Sequence, residues 1–118
     1  HPKIAAVHYL GNLKRSDGAQ YRIYRKQCLG PGAMISIEVK GGRAQAFTFL
    51  DSLKLIKQAV SLGSTESLIC HPASTTHITV APAEKKAVGL TDQLVRFSVG
   101  VEAAEDLIWD IGQALAKI

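Results

Sequence analysis

The sequence predicts an α+β fold, a mainly antiparallel sheet with helices packed on one face. Three observations carry that prediction. Met34 to Val39 and Leu94 to Val99 alternate apolar and polar residues with the two-residue repeat of a half-buried strand. Glu102 to Ile118 repeats its apolar residues at helical spacing and closes the chain with its strongest amphipathic segment. Glycine and proline at Leu29–Ala33, Gly41–Gly42 and the polar, glycine-containing loop Ser61–Ser67 divide the chain into the order strand, helix, strand, strand, helix, strand, helix.

His1 to Leu10 reads as a helical turn entering a short strand. Gly11 to Gly18 is a polar connection, in which Asp17 suits the N-cap of a helix running to about Gln27. Tyr21, Tyr24 and Cys28 share one face of that helix, while Arg22, Arg25 and Lys26 point elsewhere. Leu29 to Ala33 stops it. Met34 to Val39 is a strand with Ile35, Ile37 and Val39 on one face. Gly41–Gly42 turns the chain into a helix from about Arg43 to Leu53, with Ala46, Phe47, Leu50 and Leu53 as the buried stripe. Leu55 to Val60 reads as a strand, Ser61 to Ser67 as a loop, and Leu68 to Cys70 as a short strand ended by Pro72. Thr75 to Val80 is rich in strand-forming residues. A helix starts at Pro82 and stops at Gly89. In the last strand, alternation puts Leu94, Arg96 and Ser98 on one face and Val95, Phe97 and Val99 on the other. In the last helix, Ala104, Leu107, Ile108, Ile111, Leu115 and Ile118 line one side, and Glu102, Glu105 and Asp106 favour its positive end.

Composition sets the outer bounds. The chain has 118 residues, 47% of them hydrophobic and 20% charged, which suits one domain with a real core. No apolar run is long enough to span a bilayer, so a membrane partner is not expected. Two cysteines, Cys28 and Cys70, make no disulfide framework and fit a reducing, cytoplasmic setting. The net charge of +4 is moderate. A cluster of Lys14, Arg15, Arg22, Arg25 and Lys26 is the one feature that favours a basic nucleic-acid-binding module, against the plainer reading of a solvated helix face.

The candidate site centres on Arg96, a guanidinium inside an apolar run. Such a group costs desolvation unless an anion meets it, and a carboxylate matches its planar fork. A surface arginine or a structural ion pair is the plainer alternative. Ser61-Leu62-Gly63, Glu66-Ser67-Leu68, His71-Pro72-Ala73-Ser74, Thr76-His77 and Arg96-Phe97-Ser98-Val99-Gly100 follow one another in fixed order and spacing. Through these motifs, nearly the whole chain resembles the C-terminal domain of the pyridoxal-phosphate-dependent enzymes of cysteine and methionine metabolism, a fold-type I family that includes cystathionine γ-synthases and lyases, methionine γ-lyases and homoserine-ester sulfhydrylases.

The resemblance implies a C-terminal domain over residues 1–118, with an N-terminal and a large cofactor-binding domain lying outside it. It implies that Arg96 holds the α-carboxylate of an amino-acid substrate, with Ser61 and Thr76 beside it. Val60 matches a position where cystathionine-processing relatives often carry glutamate; valine suits a thioether better, which tilts the reading towards a methionine γ-lyase-like α,γ-elimination. Cystathionine synthesis or cleavage, or homoserine-ester sulfhydrylation by γ-replacement, is the runner-up. The same resemblance implies a cytoplasmic homotetramer, a sulfur amino acid or homoserine ester as substrate, and no nucleic acid. No segment resembles the setting of the lysine that carries the cofactor, so no catalytic or cofactor-binding residue is expected in this chain, and alone it is expected to be inactive. Cys70, His71 and His77 fit no metal-ligand spacing, so no metal is expected, and the histidines read as structural hydrogen-bonding groups. The glycines at 30, 32, 41, 42 and 63 make no phosphate-loop pattern and read as turns.

Overall fold

A computed structural model describes residues 1–118. Five strands form one sheet: β1 (Ile4–His8), β2 (Met34–Val39), β3 (Lys57–Gln58), β4 (Leu68–Cys70) and β5 (Leu94–Ser98), in the spatial order β1-β2-β5-β4-β3. Every pairing is antiparallel except the β3–β4 edge. Four helices accompany them: α1 (Ala19–Gln27), α2 (Arg43–Asp51), α3 (Pro82–Ala87) and α4 (Ala104–Leu115). This is the predicted α+β class.

The core forms where α2 and α4 cover one sheet face. Val39, Val95, Phe97 and Ile69 project from the strands, meeting Ala46, Phe49 and Leu50 of α2 and Leu107, Ala114 and Leu115 of α4. Ile35 and Ile37 pack against the same cluster, as the alternation of β2 requires. α1 and α3 bury no residue fully, and both lie outside this core.

Several local expectations need correction. Asp17 does not cap α1: its carboxylate accepts the Lys14 N–H at 2.6 Å, and α1 starts from Gly18, whose φ of 62° suits glycine. The stripe of α2 runs through Phe49, and Phe47 sits half-buried at its edge, tilted against the His71 ring at 5.0 Å. On α4, Ala104 and Ile108 are exposed and Asp110 is buried.

Leu55 to Val60 pairs as a strand only over Lys57–Gln58. Ala59 still donates its N–H to the Ile69 carbonyl at 3.0 Å, but the start of the segment is held by Asp110. Its Oδ1 accepts the Lys54 N–H at 2.8 Å, and its Oδ2 accepts those of Leu55 and Ile56 at 2.9 Å each, so these donors are not free for a ladder. Thr75 to Val80 is a turn rather than a strand. The N–H groups of His77, Ile78 and Val80 donate to the carbonyls of Pro72, Thr75 and His77, closing the backbone on itself. Strand propensity yields there because no neighbouring strand is on offer.

Candidate functional site

β5 is the central strand, and Arg96 sits at its middle, facing away from the helix-covered core. Its cross-strand partners are Ser36 on β2 and Cys70 on β4. Directly opposed side chains lie close on one sheet face, so two small neighbours leave the long guanidinium stem room to run along the sheet. The side chain is half-buried. Its Nη2 donates to the carbonyls of Val60 at 2.8 Å and Ser61 at 3.0 Å. Its Nε is buried without a partner. An arginine has five N–H donors in a fixed fork. This one has settled a single nitrogen on protein oxygens and has binding capacity left for an anion.

The structure thus brings Ser61 to Arg96, through the serine carbonyl. Val60 reaches the same arginine by its own carbonyl, and its side chain lines a cavity of about 220 Å³ together with Phe47, Ala59, Cys70, His71 and Thr75. Thr76 lies elsewhere in its contacts. It is exposed in the 75–80 turn, its hydroxyl pairs with Nδ1 of His77 at 2.8 Å, and no hydrogen bond joins it to Arg96 or Ser61.

The Ser61–Ser67 loop is held at both ends by Ser98 and Glu102, neither of which the sequence places at the site. Gly63 donates its N–H to Ser98 Oγ at 2.9 Å. Ser67 donates its N–H to Glu102 Oε1 at 2.6 Å and its hydroxyl to Oε2 at 2.8 Å, while accepting the Gly100 N–H at 2.9 Å. The Ser67 N–H holds the Glu102 carboxyl below its ordinary range, and the Ser67 hydroxyl acts in the same direction against partial desolvation. The signal for Ser98 was present: it lies two residues after Arg96, on the same face of one strand.

His71 uses both ring nitrogens. Nε2 donates to the Asp92 carbonyl at 2.9 Å, and Nδ1 pairs with Ser74 Oγ at 2.8 Å. No group of three or more His, Cys, Asp or Glu side chains gathers as a metal set would require. Arg15, Arg22, Arg25 and Lys26 line a shallow hollow with Tyr21, and none of them is in an ion pair.

Pyridoxal phosphate, which the resemblance implies, does not fit the residues of this chain taken alone. Seven of its nine lysines are exposed, and Lys3 is half-exposed. The remaining one, Lys85, ties its ammonium to the carbonyls of Ala73 and Ile78 at 3.0 and 3.4 Å. No lysine borders the cavity beside Val60.

With this geometry in hand, the likenesses to known proteins agree with one another. The family described as Cys/Met metabolism PLP-dependent enzyme matches residues 1–116. The chain is 52% identical over 118 residues to L-methionine gamma-lyase of Fusobacterium nucleatum subsp. polymorphum, covering all of this chain and 29% of that protein. It is 42% identical over 118 residues to cystathionine gamma-lyase of Bacillus subtilis, covering all of this chain and 30% of the relative. The crystal structure of cystathionine gamma-lyase from Lactobacillus plantarum complexed with L-serine superposes with a TM-score of 0.88 at 39% identity, over 100% of this chain and 30% of that one. The chain therefore spans less than a third of the length of these relatives. No helix is long and apolar enough to cross a membrane. The match over nearly every residue settles the relationship: the chain belongs to the pyridoxal-phosphate-dependent enzymes of cysteine and methionine metabolism.

Proposed function

We propose that this chain is the C-terminal, substrate-facing domain of an enzyme acting on a sulfur amino acid, and that Arg96 receives the substrate's α-carboxylate. The observation that carries the proposal is the half-satisfied guanidinium, with Nη2 on two backbone carbonyls and Nη1 making no hydrogen bond to the protein. A planar carboxylate offers the acceptors this fork lacks, and charge-assisted pairing of that kind is about twice as strong as a neutral hydrogen bond. Ser61 belongs to the anchor through its carbonyl. Thr76 joins the site in this proposal as a group bordering the carboxylate.

Methionine γ-lyase-like α,γ-elimination is the activity favoured. Val60 supports it, because an apolar side chain at the cavity wall suits a thioether and cannot pair with a distal ammonium. The relatives named L-methionine gamma-lyase support it as well. Cystathionine γ-lyase activity is the second reading, supported by the relative and the solved structure that carry that name. Incubating the complete enzyme with L-methionine, L-cystathionine and acyl-homoserines separates the two. α-Ketobutyrate with methanethiol from methionine is the expected outcome, and turnover of cystathionine with none of methionine overturns it.

The anchor has its own test in the same enzyme. Arg96→Ala is expected to lower kcat/KM on the order of 100-fold or more, the loss of two charge-assisted hydrogen bonds. Arg96→Lys is expected to recover little, since an ammonium cannot present the fork. Near-normal kinetics in either variant would remove the proposed role. A cytoplasmic homotetramer belongs to the same proposal, with a single tetrameric species in light scattering as its check. A nucleic-acid-binding module draws support from the Arg15, Arg22, Arg25 and Lys26 hollow alone. Steeply salt-dependent binding to duplex DNA would favour it.

A further inference from the structure

We propose that Ser98 is a positioning residue for Arg96, acting through the Ser61–Gly63 turn. The inference rests on the reading of Arg96 as the carboxylate anchor. Arg96 and Ser98 stand two residues apart on one face of β5, and both reach the same loop. Ser98 Oγ accepts the Gly63 N–H, and Arg96 Nη2 donates to the carbonyls two and three residues upstream. The result is a closed circuit from Ser98 to Gly63, back along the chain to Ser61 and Val60, across to Arg96, and along the strand to Ser98.

Each part of that circuit has a reason to depend on the others. Ser98 is 2% exposed and therefore a fixed post. Gly63 turns the chain with a φ of 71°, and its N–H points inward to meet the hydroxyl. The loop is otherwise exposed from Ser61 to Glu66, and no core side chain holds it. Its downstream end is tied by Ser67 to Glu102 and Gly100. Upstream, the chain is held as far as Ala59, whose N–H donates to the Ile69 carbonyl at 3.0 Å. Beyond it the Ser98 hydroxyl fixes the turn at Gly63, and without that bond the Val60 and Ser61 carbonyls lose the support that aligns them on the guanidinium. Bidentate recognition tolerates little angular error, so a misaligned fork binds carboxylate less well while its charge is unchanged.

The test is steady-state kinetics of the complete enzyme with L-methionine, or with L-cystathionine if that is the compound turned over. Ser98→Ala is expected to raise KM about tenfold, the loss of one buried hydrogen bond, with kcat within about twofold. Ser98→Cys keeps the shape and offers a weaker acceptor, so its KM is expected between the two. It also serves alone if the alanine variant fails to fold. On an Arg96→Ala background, Ser98→Ala is expected to add nothing, because its effect runs through a guanidinium no longer present. An unchanged KM in the single Ser98 variants overturns the inference and leaves the anchor standing. So does the same tenfold rise on top of Arg96→Ala, which marks a general structural effect. A near-normal KM in Arg96→Ala alone overturns the anchor itself, and Ser98 loses its proposed role with it.

Discussion

Asp110 is the most demanding polar group in the chain: an acid with 0% exposure, surrounded by the apolar contacts of α4. Burial alone would push its carboxyl up, and burial is the largest single influence on it. The N–H groups of Ile56, Lys54 and Leu55, with the Gln113 amide, together outweigh that and hold it below the ordinary value. The same bonds fix where the chain goes after α2, and so where β3 and the Val60 and Ser61 carbonyls lie. Asp110→Asn is nearly isosteric but turns one acceptor into a donor facing backbone N–H groups. We expect a loss of about 3 kcal/mol, from charge-assisted bonds worth about 1.5–3 kcal/mol each, read as a lower urea midpoint. A loss below about 1 kcal/mol would show that water takes over the abandoned donors.

Helices α2 and α4 were legible in the sequence as elements and misjudged in rotation, in the same way. Taking Ala46 and Leu107 as reference, successive residues turn by about 100°, so Phe47 and Ile108 fall on one flank and Phe49 and Asp110 on the other. The structure buries the second flank in both cases. Apolar counting cannot choose between two phenylalanines, and it never proposes a buried aspartate whose partners lie more than fifty residues away in sequence. The comparison is measurable: Phe49→Ala is expected to cost about 3–5 kcal/mol, and Phe47→Ala clearly less, since Phe47 remains partly solvated. Equal losses by chemical denaturation would contradict the burial assignment. The strands follow the same rule. Met34–Val39 and the two faces of Leu94–Ser98 could be read directly because alternation is local, and so Arg96 could be singled out. The shortening of Leu55–Val60 and the turn at Thr75–Val80 could not, since both depend on which partner each N–H finds. The site divides likewise: Arg96 and the loop were visible as motifs, whereas the Ser98 and Glu102 ties exist only once β5 and the loop lie side by side.

Across the whole molecule, ion pairing contributes little: one contact meets the distance for an ion pair, His8 with Glu38 at 2.9 Å across β1 and β2. Acid sensitivity therefore concentrates in the two carboxylates with lowered pKa, Glu102 two residues before α4 and Asp110 within it. Their ordinary values are 4.5 and 3.8, and both lie lower in the folded chain. Above those ordinary values each is ionised whether the chain is folded or not, and its stabilisation is fully present. As pH falls through them the unfolded chain takes up protons first, so stability declines, and the contribution is gone once the folded values are passed. The formal charge of +4 at neutral pH becomes more positive over the same range, and self-repulsion acts in the same direction. Stability by urea titration is therefore expected to be flat from pH 7 to about 5 and to fall below that. Glu102→Gln is expected to be less stable than the parent at pH 7, with the gap closing as pH drops, because the glutamine loses the pairing with Ser67 but has no proton to take up. A constant gap between parent and variant from pH 7 to pH 3 would place the acid sensitivity elsewhere, and would mean that the Ser67–Glu102 tie holds the loop with no help from its charge.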